Sequence, residues 1–270
     1  MHKVDRMRRT AGRRLPRAAW VAGPLSVLLT LATVAWSVMP APATATLSAS
    51  VTASPFAGTP AVGALFTISN GRLGAHFCTA SVVHSPQGNL ILTAAHCLAG
   101  SSDTSPASIA FVPGYIDGAT PEGVWPVTRI FVDQAWAASA DPDDDFAFLT
   151  VAQPGSSTPI EYVTGAERLG IGDPAAAVTR VVGYPDTRAQ PIACQNRTSM
   201  FSAAQMRFDC DGFTAGTSGS PFLIDPGGPG GGATVVGVIG GYQQGGDSPN
   251  ISYSAAFGAN MQALYNVAAG

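Results

Sequence analysis

Leu92-Thr93-Ala94-Ala95-His96-Cys97 is the stretch on which the fold assignment turns. It closes an apolar run, LILTAA (90–95), with a histidine beside a cysteine. An imidazole takes a proton from a hydroxyl near neutral pH, because its unperturbed pKa is about 6.5. A histidine by itself is more often structural, so its role depends on two further segments of the chain. One is Asp143-Asp144-Asp145-Phe146-Ala147-Phe148-Leu149. Acidic runs are usually solvated turns, which is the expectation for Asp141, Asp143 and Asp144. Asp145 differs, because an apolar strand starts directly after it. A carboxylate carried inward there is suited to holding a histidine ring in one tautomer. The other segment is Thr214-Ala215-Gly216-Thr217-Ser218-Gly219-Ser220-Pro221. Ser218 is a poor nucleophile unless a base removes its proton. Its flanking glycines let the backbone turn sharply and let a substrate approach. The N–H groups of Gly216 and Ser218 are candidates to face a developing oxyanion. Alone, the Gly/Ser segment would be an ordinary turn.

Around these segments the chain has 270 residues, 46% of them hydrophobic and only 11% charged. A sizeable core is possible and global disorder is excluded. Glycine and proline together make up about a fifth of the chain, which favours short strands and turns over long helices. Seven of the fourteen basic residues fall in residues 1–17. The rest carries seven basic and sixteen acidic residues, a formal charge of −9, and no lysine. That excludes a strong nucleic-acid binder, which needs a basic face.

The basic start precedes an apolar stretch, Ala18 to Met39, and then the small residues Ala41, Ala43 and Ala45. Residues 1–45 therefore read as a secretory signal cut after Ala43 or Ala45. The stretch is also long enough to serve as an uncut membrane anchor, but Gly23, Pro24 and the A-x-A exit favour cleavage. A secreted, extracellular protein is expected, with no membrane contact after cleavage. Four cysteines remain in the exported body: Cys78, Cys97, Cys194 and Cys210. Export makes disulfides the expectation, and four cysteines allow three pairings. The local pairing Cys78–Cys97 with Cys194–Cys210 would close two short loops, each contributing roughly 3 kcal/mol in the chain-entropy model. No C-x-x-C occurs, so no metal site and no cofactor is expected.

Residues 46–57 (TLSASVTASPFA) read as a linker or short pro-segment. From Gly58 onward short apolar runs alternate with Gly, Pro, Asn and Asp. They include AVGALFTI (61–68), CTASVV (78–83), SIAFV (108–112), FAFLTV (146–151), VTRVVGY (178–184), SPFLI (220–224) and TVVGVIGG (234–241). Each has strand length and is rich in Val, Ile, Phe and Thr. Only the end, about 257–267, has helical spacing, through Met261, Leu264, Tyr265 and Ala268. DPGGPGGG (225–232) reads as a hairpin loop. The expectation is an all-β chain with one C-terminal helix.

Taken together, TAAHC, DFAFL and GTSGSP, in the order His, Asp, Ser, resemble the trypsin/chymotrypsin-like serine protease superfamily. GYP (183–185) and the Ser-Gly-Ser-Pro ending resemble its secreted bacterial branch related to glutamyl endopeptidases. The resemblance covers about residues 58–268. It implies two antiparallel six-stranded β-barrels, about 58–155 and 160–256 within a domain of 58–270, with a crossover near 154–159. It implies His96 as base, Asp145 as its orienting carboxylate and Ser218 as nucleophile. Gly216 and Ser218 would form the oxyanion hole, and Cys78–Cys97 would bracket the histidine loop. The implied activity is a monomeric endopeptidase acting on protein or peptide substrates. The alternative is a catalytically silent binding protein on the same scaffold, but such proteins often lose a triad member and none is lost here. An α/β-hydrolase is disfavoured, because position 220 is Ser where G-x-S-x-G needs Gly and the residue order differs.

Two departures from the family pattern matter. Trypsin carries an aspartate before the nucleophile, paired to a freshly cut N-terminus; Thr217 cannot form that pair. No Lys or Arg lies between Arg17 and Arg72, so maturation without the trypsin-type switch is expected. The substrate pocket is expected at Gly212, Phe213, Ile239 and Gly240. Ile239 falls near where glutamate-specific relatives carry a histidine, so an apolar or small side chain at the cleavage site is expected instead.

Overall fold

A computed structural model describes residues 51–99, 105–173, 176–225 and 232–270. The expected signal segment and residues 46–50 lie outside these, as do residues 226–231 of the glycine-rich loop.

The chain folds mostly into strands: β1 (Ser54–Pro55), β2 (Val62–Ser69), β3 (Arg72–Val83), β4 (Leu90–Thr93), β5 (Ile109–Pro113), β6 (Trp125–Val132) and β7 (Ala147–Val151). Strands β2 to β7 close an antiparallel barrel in the order β2-β3-β4-β7-β6-β5, with β5 returning to β2. Strands β4, β5 and β7 are buried along their whole length, which explains their nearly unbroken apolar runs. In β4 the alternation is visible residue by residue. Ile91 joins Leu65, Val82, Phe111 and Leu149 in one cluster. Leu90 and Leu92 join Phe66, Val112 and Phe148 in another, which also takes in residues of the chain's second half. Successive side chains point to opposite faces, so one short run serves two cores.

The second half contains β8 (Arg168–Leu169), β9 (Val178–Gly183), β10 (Ile192–Arg197), β11 (Ser199–Met200), β12 (Gln205–Asp209), β13 (Pro221–Ile224), β14 (Thr234–Val238) and β15 (Ile251–Ala255). It is built from two sheets, β1-β10-β9-β13-β14-β8 and β11-β12-β15, where one continuous ladder would make a simple barrel. The sheets are joined by the Cys194–Cys210 disulfide and by Gly240 N–H donating to Tyr253 C=O at 3.0 Å. Val181, Met206, Phe208, Phe213, Phe222 and Val236 pack between them. The Cys78–Cys97 bond is also formed. The architecture is thus the all-β, two-barrel arrangement with a C-terminal helix.

The stretch 46–57 is not a free linker where it is described. Ser54–Pro55 pair with β10 as β1, and Ala53 N–H donates to Asp211 C=O at 2.8 Å. Main-chain pairing needs no particular side chain, so an Ala/Ser/Thr-rich run gives no hint of it. The terminal helix spans Ala259–Ala269, with Met261, Leu264 and Ala268 buried against the first barrel's outer face. Two short helices, Gln134–Ser139 and Glu161–Thr164, are below the length that periodicity detects.

The two halves are stitched together at Glu167. Its N–H donates to Val82 C=O and its C=O accepts from His84 N–H, each at 2.9 Å, while the next residue, Arg168, donates its N–H to Ala233 C=O within the second half. The Glu167 side chain is buried, and one carboxylate oxygen has no partner among the described residues. Burial pushes its pKa up to about 7, a rise only partly offset by the Ala233 amide. Proton linkage sets the sign of the effect on stability. Below about 4.5 the group is protonated whether the chain is folded or not. As pH rises through the interval up to about 7, only the unfolded chain ionises, so stability falls and then levels off. The loss expected is roughly 3 kcal/mol at 1.36 kcal/mol per unit. Urea unfolding at a series of pH values should show this slope in wild type and a shallower one in Glu167→Gln, where Asp144, also raised by burial, remains. An unchanged slope in that variant would remove Glu167 as its source.

Candidate active site

His96 follows β4 on a single turn of 3-10 helix, Ala95–Leu98, pinned at its far side by Cys97. The ring Nδ1 lies 2.7 Å from Asp145 Oδ2, and the His96 N–H donates to Asp145 Oδ1 at 2.8 Å. Asp145 is fully buried directly ahead of β7, and its Oδ2 also accepts from Gly241 N–H at 2.8 Å. Three donors on one carboxylate fix its orientation. The acceptor at Nδ1 puts the proton there and leaves Nε2 as the basic nitrogen.

Asp144, expected as part of a solvated turn, is buried instead. Asn260 of the terminal helix donates to its Oδ1 at 2.9 Å. Burial raises its pKa first of all, with Asp133, Asp141 and Asp143 adding to the rise against the Asn260 hydrogen bond. A helix far along the chain covers it, which the local acidic pattern does not reveal.

Ser218 is half-exposed at the tip of the 214–220 turn. Its Oγ makes no hydrogen bond among the described residues, and such contacts often tighten only with substrate bound. The two segments are nevertheless tied together. Ser218 C=O accepts from Thr79 N–H at 2.7 Å, and Thr79 adjoins Cys78, the disulfide partner of Cys97. Gly219 seats directly on Thr79, Thr93 and Ala94; a Cβ there would collide with the Thr79 carbonyl and the Thr93 hydroxyl.

The turn is a succession of pinned peptide planes. Ala215 C=O accepts from Asp186 N–H at 2.9 Å, and Thr217 C=O accepts from Ser220 N–H at 3.0 Å. A trans peptide points its N–H opposite its C=O. The Gly216 and Ser218 N–H groups therefore face away from those anchors, and neither donates to another group among the described residues. Gly216 has φ +89°, with backbone of Tyr184 and Asp186 where a Cβ would stand, so only glycine fits. The turn thus leaves two main-chain N–H groups, those of Gly216 and Ser218, unengaged among the described residues.

Beside Ser218 lies a pocket of about 290 Å³. Phe213 and Ile239 line it, together with Thr214, Gln244, Asp247 and Pro249. Gly212 and Gly240 do not. Gly212 is covered by the N-terminal arm, with Ala53 Cβ 3.3 Å from where its Cβ would be. Gly240 packs behind the histidine, with Asp145 Oδ2 3.0 Å from its Cβ position. The loop after Gly241 contributes to the wall without a matching signal in the sequence. YQQGGDSP reads as a turn but carries no obvious chemistry, and Gln243 and Gln244 both adopt left-handed backbone there. His76 is buried, its Nε2 2.9 Å from Pro185 C=O, and His84 pairs with Glu161 on the surface.

Comparison with known proteins bears on this arrangement. No curated protein matches the chain. Among solved structures, the protease Anisep from Arthrobacter nicotinovorans superposes with a TM-score of 0.66 at 23% identity, covering 80% of this chain and 98% of that one. The thermostable serine protease AL20 from an extremophilic microorganism gives 0.63 at 24% identity, covering 78% and 97%. A Glu endopeptidase in complex with MPD gives 0.62 at 18%, covering 81% and 96%. At these identities the likeness is one of fold. The sequence itself matches the model of the Trypsin-like peptidase domain over residues 78–229, more than half of the chain. From the closed barrel, the His96–Asp145 pair and this match, the chain belongs to the trypsin-like peptidase family.

Proposed function

We propose that the protein is a secreted serine endopeptidase working through His96, Asp145 and Ser218. The observation that carries the reading is the doubly hydrogen-bonded pair of His96 with the buried Asp145, beside a serine turn with two unengaged amides. In the proposed reaction Ser218 Oγ attacks the scissile carbonyl and passes its proton to His96 Nε2. Asp145 stabilises the imidazolium without taking the proton. The carbonyl oxygen, now negative, is held by the Gly216 and Ser218 N–H groups. His96 then protonates the departing amine, and water repeats the sequence to release the acyl group. Secretion is supported by the two formed disulfides, which persist in oxidising compartments.

Phe213 and Ile239 on the pocket wall favour an apolar or small side chain at the cleavage site. The test has two stages. A fluorophosphonate, which phosphorylates only an activated serine, should label the folded protein at Ser218. Peptide-library profiling should then show cuts after apolar residues. Absence of labelling would favour a binding scaffold, and cuts after Arg, Lys or Glu would overturn the pocket reading alone.

A further inference from the structure

We propose that Thr79, on the first barrel, is a positioning residue for the anion-binding turn of the second. It would do by a hydroxyl clasp what a terminal ammonium does in trypsin. This rests on the catalytic reading above and extends it to a residue with no contact to the reacting atoms.

Thr79 is completely buried, and every hydrogen-bonding group it has is engaged. Its Oγ1 accepts from Tyr184 N–H at 2.9 Å and donates to Gly216 C=O at 3.1 Å. Its N–H holds Ser218 C=O, and its C=O accepts from Thr93 Oγ1 at 2.7 Å. The Gly216–Thr217 peptide is the middle plane of the turn. The planes on either side carry the two free N–H groups, and each is pinned by its own carbonyl. The middle plane is the joint between them, and Thr79 Oγ1 is what holds its carbonyl. Gly216, at φ +89°, has no side chain to resist rotation at that joint. Thr217 supplies no outside anchor, because its Oγ1 and N–H both turn back onto Thr214 C=O. Without the Thr79 hydroxyl, Gly216 C=O and Tyr184 N–H would be buried and unpaired, and the plane would gain a reason to turn.

Thr79→Val keeps the shape and the main-chain bond to Ser218 but removes the hydroxyl. Activity is counted per active site by end-point titration with a fluorophosphonate, so unfolded molecules do not contribute. The expected result is a kcat lower by about tenfold to a hundredfold, less than the loss on deleting an oxyanion donor outright, with KM within a few-fold. Affinity for a peptide aldehyde, which forms a tetrahedral adduct, should fall in parallel. Thr79→Ser should restore both, since it keeps the oxygen. Should the valine variant not fold, Thr79→Cys, close in size with only a weak donor, carries the same test. A wild-type kcat per titrated site, or a serine variant as impaired as the valine one, would overturn the proposal. Failure of the wild type to be labelled at all would instead overturn the catalytic reading.

Discussion

Ser218→Ala should lower kcat by about 10⁴-fold or more while leaving the fold and its stability unchanged. The substitution removes one oxygen that makes no hydrogen bond among the described residues. What the turn needs from position 218 is main chain: the C=O held by Thr79 and the N–H proposed to hold the oxyanion. Both survive in alanine, and alanine fits the half-exposed tip. A large kinetic loss with no thermodynamic loss is the signature of a nucleophile. Activity on a quenched-fluorescent peptide, beside urea unfolding of the same preparation, measures both. A variant turning over within tenfold of wild type would mean that another group attacks the substrate.

Asp145→Asn should cost about 10³- to 10⁴-fold in kcat, for a reason visible in its three hydrogen bonds. Both carboxylate oxygens only accept: Oδ1 from His96 N–H, Oδ2 from His96 Nδ1 and Gly241 N–H. An amide has one acceptor and one donor end. If its NH₂ takes the Oδ2 place, it faces the Gly241 N–H and forces the imidazole into the tautomer with its proton on Nε2, where it cannot accept the serine proton. If the NH₂ takes the Oδ1 place, it faces the His96 N–H. Every orientation sets a donor against a donor in a fully buried site. Unlike Ser218→Ala, this change should also lower stability. A kcat near wild type would show that the ring does not depend on this carboxylate for its tautomer.

The chemistry-bearing residues were legible because each stands at a junction that sequence pattern marks. His96 follows the apolar run of β4, Asp145 precedes that of β7, and Ser218 sits in a glycine-flanked turn. Strands with both faces buried are continuous apolar runs and were visible for the same reason. Others were not. Trp125–Val132 carries Pro126 and Arg129, Gln205–Asp209 is largely polar, and both form strands because their neighbours' main chains pair with them. The pocket was legible only in part. Counting from the nucleophile reaches Phe213, which lines it, and also Gly212, which the N-terminal arm covers.

The order of residue types along the chain determined the chemistry: which side chain can give a proton, which can hold a ring, which can attack. Only the folded chain decided what restrains them. Thr79, Gly241 and Glu167 act through main-chain or hydroxyl contacts between segments far apart in sequence, and such contacts depend on where a carbonyl or amide comes to rest in space.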